Sequence, residues 1–404
     1  MEAQTVGKFS LMELNIKLLR RIGLWNETER ERFPIRGQLV IVFNMFWLIP
    51  SAAYFVTSQY ELTPVLKAIN EQIIFTTAFS KFCLFASNFR HWQHIFYDLQ
   101  RCLNLVVPDP HEDVQKILNR VVKSEHRLIK WYSPLVIFDT MVYGLAPFIF
   151  VLAKYAVTGA YKTPLPTPIQ ANYFIPGYDT NVWVWIPLNI FLGLMLALQS
   201  VALVLLECFV WNSIYSTISL FKILQIKAKS LVARDDRHQW STELSKFVDL
   251  HECAFRTSYC FSRCAFTLEK ALGTQMLFLH IAIIFSMCLM MTVITIAFKD
   301  TYLMFIMLAV LVYSLFQIFC FSILGTELTQ QSAAVKDAIF HSKWYLREKR
   351  QQRDLAFVLV HSQQPVKLTA AKLFTVTRQS FMQVIKHAYT MFTLMSQFVV
   401  ESTE

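Results

Sequence analysis

Charge is scarce in this 404-residue chain: Asp, Glu, Lys and Arg make up 16% of it, against about 25% in an ordinary soluble domain. Glycine is scarcer, with nine residues, and no low-complexity tract or convincing internal repeat appears. Flexible-linker and solenoid architectures are thereby set aside. No HExxH, GxSxG or P-loop occurs, and no acidic pair is clustered in an apolar run, so enzyme chemistry has little to rest on and no cofactor is expected. Between Met1 and Arg36 no apolar stretch leads to a small-residue cleavage site, so no secretory leader is expected.

What the chain has in abundance is apolar sequence, 55% of all residues, with a mean hydropathy of +0.40. Seven stretches, at 38–58, 69–89, 131–153, 184–210, 271–297, 302–324 and 376–400, are long enough to span or nearly span a bilayer at about 20 residues each. The basic residues divide between the connecting segments. The N-terminal segment and the loops at 90–130, 211–270 and 325–375 hold seven, seven, nine and eight Lys or Arg. The other three loops hold four together, Lys67, Lys154, Lys162 and Lys299. The positive-inside rule puts the N-terminus in the cytoplasm, and seven crossings put the C-terminus outside. The expected fold is an all-α membrane protein with seven transmembrane helices. The net charge of +10 reads as topology, because the basic residues are scattered among acids without a nucleic-acid motif.

The connecting segments carry further signals. Residues 1–37 read as a cytoplasmic segment with a short amphipathic helix on the inner membrane face. Asn26-Glu27-Thr28 is a sequon on that side and should stay unmodified. Residues 154–183 contain Pro164, Pro166, Pro168, Pro176 and Gly177 and should be extended or turning. Trp183 and Trp185 follow, as in an aromatic belt. The inner segments mix apolar and charged residues at helical spacing, so the membrane helices should continue into the cytoplasm and pack there, against other subunits or as a lid within the chain. None of the eight cysteines falls in an outer loop, which argues against an extracellular disulfide. Cys253, Cys260 and Cys264 fit no zinc spacing and read as buried thiols. Asp139 and Glu207 read as lone intramembrane carboxylates, either ion-path residues or buried hydrogen-bonded acids.

The last stretch is the most informative. Gln379, Gln383, Lys386, Thr390, Thr393 and Gln397 advance by 4, 3, 4, 3 and 4, which keeps them on one face of a helix. A polar stripe at membrane depth needs water or polar partners. Water means a pore lined by several copies of this helix; partners mean a closed bundle. The stripe alone leaves both open.

The run from Leu373 through Thr377-Arg378-Gln379-Ser380-Phe381 to Lys386 closely resembles the last transmembrane helix of insect odorant receptors. Ser342-Lys343-Trp344-Tyr345 and Gln364-Pro365-Val366-Lys367-Leu368-Thr369-Ala370 resemble the segment before it. Thr390 to Phe398 nearly matches a signature shared with gustatory receptors, but Met391 stands where that signature has Tyr. The resemblance implies an odorant-gated, non-selective cation channel: a ligand-tuned subunit in a hetero-tetramer with the shared co-receptor. It implies passage of monovalent and divalent cations through a pore lined by the final helix at 376–404, and an inner anchor that includes 325–375. It also implies an odorant pocket in the outer halves of the spans within 38–324. On that basis the expected ligand-binding residues are Ile73, Thr76, Phe79, Met141, Gly144, Phe148, Phe191, Met195, Tyr302 and Phe305. Aromatic and Met side chains there suit a small, largely apolar volatile. The expected pore and gate residues are Thr390, Leu394, Gln397 and Phe398. The plasma membrane of olfactory neurons is the implied location, with lipid as a partner and no nucleic acid. A gustatory-like channel is the alternative. A G-protein-coupled receptor conflicts with the charge topology, and a transporter would show two related halves or paired broken helices.

Overall fold

The computed structural model describes residues 10–26, 33–57, 62–159, 161, 163–231, 243–251, 264–296, 300–342, 344–346 and 348–401. Glu27 and Thr28 of the sequon lie outside these residues, as do Cys253, Cys260, Lys162 and Lys299.

Helices dominate the chain. In order they are α1 (Glu13–Ile22), α2 (Ile35–Thr57), α3 (Leu62–Ser87), α4 (Phe89–Val106), α5 (Glu112–Thr158) and α6 (Val182–Leu231). The described part of α7 covers 243–251, followed by α8 (Cys264–Ile296), α9 (Thr301–Phe340), α10 (Lys349–His361) and α11 (Arg378–Glu401). A two-strand hairpin, β1 (Thr369–Ala370) and β2 (Phe374–Thr375), pairs antiparallel just before α11. Each expected span falls largely on a helix, the second running from α3 to the start of α4. Among the described residues, α2, α5, α6, α8 and α9 are long and apolar enough to cross a membrane by length and composition. By the same measure α3 and α11 are not, because α3 carries Lys67, Glu71 and Lys81 and α11 carries the polar stripe.

Helix length explains the architecture. At 1.5 Å per residue α5, α6 and α9 run about 70, 75 and 60 Å, twice or more the hydrocarbon core. The surplus collects at the end rich in Lys and Arg. There α1, α4, the start of α5, the end of α6, α7 and α10 share one apolar core around Trp92, Phe89, Phe209, Trp211, Phe221 and Phe247. Phe85, Trp92 and Phe209 meet edge-on or stacked at 5.7–6.1 Å between ring centres. Among the described residues the inner helices therefore pack within the chain. The apolar face of α1 is used the same way: Leu11, Ile16, Leu19, Leu24 and Trp25 are buried in protein, and the Asn15 amide donates to Glu125 at 2.7 Å. At the turn between α4 and α5, Lys227 pairs with Asp109. Burial raises that carboxyl, but the hydrogen bond and charge of Lys227, with the His111 amide, outweigh it and hold the group below its ordinary value.

The proline-rich segment between α5 and α6 folds back over the opposite end of the bundle. Leu165, Ile169, Ala171 and Tyr173 are buried, and the Leu165 amide donates to Asp179 O at 2.8 Å. The expected aromatic belt is half present. Trp183 is 85% exposed, whereas Trp185 is 2% exposed, donates its indole N–H to Pro166 O and packs on Phe148. The cysteines also divide. Cys83, Cys208, Cys288 and Cys320 are free, while Cys102 is disulfide-bonded, so the inner cysteines are not all thiols.

The hairpin that launches α11 is pinned to α8 and α9. The Ala371 amide donates to Gly273 O at 2.9 Å, and Thr369 Oγ1 donates to Glu269 at 2.7 Å. The Arg378 amide donates to Thr326 Oγ1 at 2.9 Å. The chain crosses α9 so closely that a Cβ on Gly325 would lie 2.2 Å from Val376 O. Gly325→Ala should therefore lower stability by about 1–3 kcal/mol, the usual cost of overpacking. Gly193→Ala, where a Cβ meets nothing within 4 Å, should not. Thermal unfolding of the two purified variants in detergent checks this; equal melting temperatures would remove the crossing from the account.

Candidate functional site: a cavity between helices and an unpaired helix face

A cavity of about 150 Å³ lies among α3, α5, α6, α8 and α9. The face of α3 that turns inward follows from spacing: Glu71, Phe75, Ala78, Phe82 and Phe85, all buried, advance by 4, 3, 4 and 3. Apolar walls come from Phe75, Val136, Leu203, Ile283 and Val310. The same walls carry Glu71, Lys81, Asp139, Tyr143, Gln199 and Gln317, a more polar lining than the sequence suggests.

Two buried ion pairs sit at different heights on α3. Lys67 and Glu71, one helical turn apart, pair at 3.5 Å. Glu71 also accepts from the Tyr143 hydroxyl and from the Gln170 amide at 2.7 Å, which ties the proline-rich segment to the bundle. Lys67 was expected in an outer loop; it lies on α3, 2% exposed. About 21 Å further along the helix, Lys81 pairs with Glu207 of α6 at 2.6 Å. The Tyr132 hydroxyl and the Gln317 side-chain amide donate to the same carboxylate. Glu207 is thus not the lone acid expected; its partner Lys81 comes from a span otherwise read as apolar. Asp139 keeps the expected isolation, its Oδ1 buried without a hydrogen-bond partner.

The ten expected pocket residues disperse. Ile73 lines the cavity, while the neighbouring Thr76 turns outward and Phe79 is half-buried beside it. Gly144 is buried against α6, where its Cβ position lies 3.7 Å from Gly193 Cα, so its smallness serves helix contact. Phe148 packs on Trp185 with ring centres 5.0 Å apart. Tyr302 packs on Phe150 at 4.9 Å, and its hydroxyl is buried without a partner. Met195 joins a small core with Phe75 and Ile169. Met141 and Phe305 face outward from the bundle. Phe191 lines a separate cleft with Trp183, Phe174 and Ile49. Glu71, Lys81, Tyr143, Gln199 and Gln317 are polar cavity residues that sequence reasoning passed over. Lys81 interrupts an otherwise apolar run, and that break was the available signal.

Helix α11 lies against α8 and α9 through Ser380, Val384 and Ala388, spaced four apart and buried. Further along, Cys288 Sγ meets Met395 Sδ at 3.3 Å. The opposite face is left largely uncovered by the described residues. Gln379, Gln383, Lys386, Thr390 and Gln397 are exposed, and Thr393 is half-buried. Leu394 is 53% and Phe398 70% exposed beside Gln397. Thr390 and Thr393 turn their hydroxyls onto their own helix, donating to Lys386 O and Thr390 O.

These features define a helical bundle with membrane-length apolar helices and a polar-lined internal cavity, and among the described residues no cluster of three or more His, Cys, Asp or Glu could hold a metal ion. A profile of the 7tm Odorant receptor family matches residues 61–389. The chain belongs to that family, whose members are receptors and not enzymes. It is 35% identical over 77 residues to odorant receptor 42a of Drosophila melanogaster, covering 19% of each chain. It is 32% identical over 71 residues to putative odorant receptor 59c of the same fly, covering 18% of this chain and 17% of that one. It is 31% identical over 87 residues to the odorant receptor coreceptor of Aedes aegypti, covering 22% and 18%. The alignments span about a fifth of the length of these curated relatives. The solved olfactory receptor OR5 of Machilis hrabei, in complex with eugenol, superposes with a TM-score of 0.79 at 17% identity, covering 96% of this chain and 97% of that one. That likeness establishes the fold.

The buried pair offers a direct test. Glu207→Gln leaves Lys81 charged and without its counter-ion, which should cost roughly 3–5 kcal/mol. Lys81→Met combined with Glu207→Gln should recover a large part of that loss. Melting temperatures of the single and double variants measure it, and a double variant no better than the single would contradict the pairing.

Proposed function

We propose that this chain is the ligand-tuned subunit of an odorant-gated, non-selective cation channel, assembled as a hetero-tetramer with the odorant receptor co-receptor in the plasma membrane of olfactory neurons. The observation that carries the reading is the uncovered polar face of α11. A stripe of Gln, Thr and Lys at membrane depth is unstable against hydrocarbon, so in the membrane it must face water or other subunits. A central pore lined by α11 from four chains supplies both. Permeating ions are then monovalent and divalent cations, with lipid around the outer helices. Exposed Phe340, Tyr345, Phe357, Val360 and Leu373 at the basic end offer apolar surface for subunit contact there. The eugenol complex of OR5, a chain of the same fold, supports a small volatile as the ligand class.

The N-terminus is assigned to the cytoplasm and the C-terminus to the outside, on the division of basic residues. An epitope tag at the C-terminus should label on intact cells, and an N-terminal tag only after permeabilisation; the reverse pattern returns a G-protein-coupled topology to contention.

Leu394 and Phe398 form the closed gate in this reading, with Gln397 and Thr390 facing the conduction path. A ring of large apolar side chains closes a pore by dewetting. The ligand opens it by binding the open form more tightly, since equal affinity for both would shift nothing. Co-expressed with a co-receptor in oocytes, Leu394→Ser or Phe398→Ser should raise current without odorant or alter ion permeability. Unchanged basal current and permeability in both variants would refute the gate.

A further inference from the structure

We propose that the cavity among α3, α5, α6, α8 and α9 takes a ligand bearing a hydrogen-bond donor, a hydroxyl or an amine on a small apolar body, received by Asp139 and Gln199. The inference rests on the reading of this chain as a ligand-gated receptor and narrows the chemical class of its ligand.

The argument is an inventory of donors and acceptors. Lys81 and the Gln317 amide are committed to Glu207, the Tyr143 hydroxyl to Glu71, and Ser286 to Asn70 at 2.6 Å. Thr77 and Thr140 donate to carbonyls of their own helices, Ile73 O and Val136 O, at 2.7 Å each. Against these stand two acceptors with nothing to accept. Asp139 Oδ1 on α5 and Gln199 Oε1 on α6 are both buried without a hydrogen-bond partner, and both residues line the cavity. Gln199 as a whole is only 6% exposed. A buried acceptor left unsatisfied is unfavourable, and a carboxylate more so than an amide. At these two atoms the cavity presents acceptors without a donor, set in a largely apolar wall.

A guest that brings a donor completes this set; a hydrocarbon, ether or ester of the same shape leaves Asp139 unpaired. Sites built to hydrogen-bond a substrate reject the analogue lacking that group strongly, because their own polar atoms then stay unpartnered. An amine adds charge pairing with the carboxylate, whereas a hydroxyl is cheaper to desolvate. Both share the donor, and the relative potency of the two distinguishes them.

The full chain co-expressed with a co-receptor in oocytes is challenged with 1-hexanol, 1-octanol and 2-phenylethanol, their methyl ethers, and the corresponding primary amines. Thermal shifts of the purified protein with the same compounds report occupancy independently of conduction. The expected result is a preference of roughly tenfold or more for alcohol or amine over ether in the wild type. Asp139→Leu should erase it with surface expression intact, and Asp139→Asn should reduce amine binding more than alcohol binding. Ethers equal to their alcohols and amines in the thermal shift, as for a cavity holding only water, overturn the inference without needing any variant. So does a donor preference that survives Asp139→Leu. A donor-dependent thermal shift without current sustains this inference while counting against the channel reading.

Discussion

A polar group held at membrane depth must find a partner, and that constraint orders the structure. Helix α3 carries two lysines and a glutamate through the bundle, which it can do because Lys67 meets Glu71 and Lys81 meets Glu207. The second pair joins α3 to α6, and the donors from Tyr132 and Gln317 draw α5 and α9 onto the same carboxylate. Four helices are thus fixed around one buried charge. Replacing one member leaves the others worse placed than an apolar cluster would be, so the arrangement specifies a geometry more than it adds stability.

The same constraint separates the two places where partners are missing. Within the bundle, Asp139 and Gln199 lack them and border a cavity. On the outside, among the described residues, the α11 stripe leaves Gln379, Gln383, Lys386, Thr390 and Gln397 exposed. Between the two lie α8 and α9, which wall the cavity on one side and seat α11 on the other. Gly325 lets the turn at Val376, just before α11, lie directly against α9.

Much of the fold was legible in the sequence because period and hydropathy are local. Seven apolar runs fell on seven helices, and the stripe on the last one could be counted at 3.6 residues per turn. The extension of long helices beyond the apolar runs was legible too, from mixed patterning in the basic segments. The cavity was not, because its lining depends on which faces of five helices converge. Thr76 and Thr77 are adjacent and chemically alike, yet Thr77 lines the cavity and Thr76 turns away. Gly144 was expected to line the pocket, and the structure places it at the contact with Gly193. Pairings across 126 residues, such as Lys81 with Glu207, leave no trace in spacing. A charged residue inside an apolar run signals only that some partner exists.

The central claim is that the stripe on α11 faces water in the assembled protein. Single cysteine replacements along the helix, which contains no cysteine of its own, probed with a water-soluble thiol reagent while current is recorded with the co-receptor, test it most directly. Modification should change the current at Gln383, Thr390 and Gln397 and leave it unaltered at Val384 and Ala388, following the helical period. Modification confined to Val384 and Ala388, or absent along the whole stripe, would contradict the account.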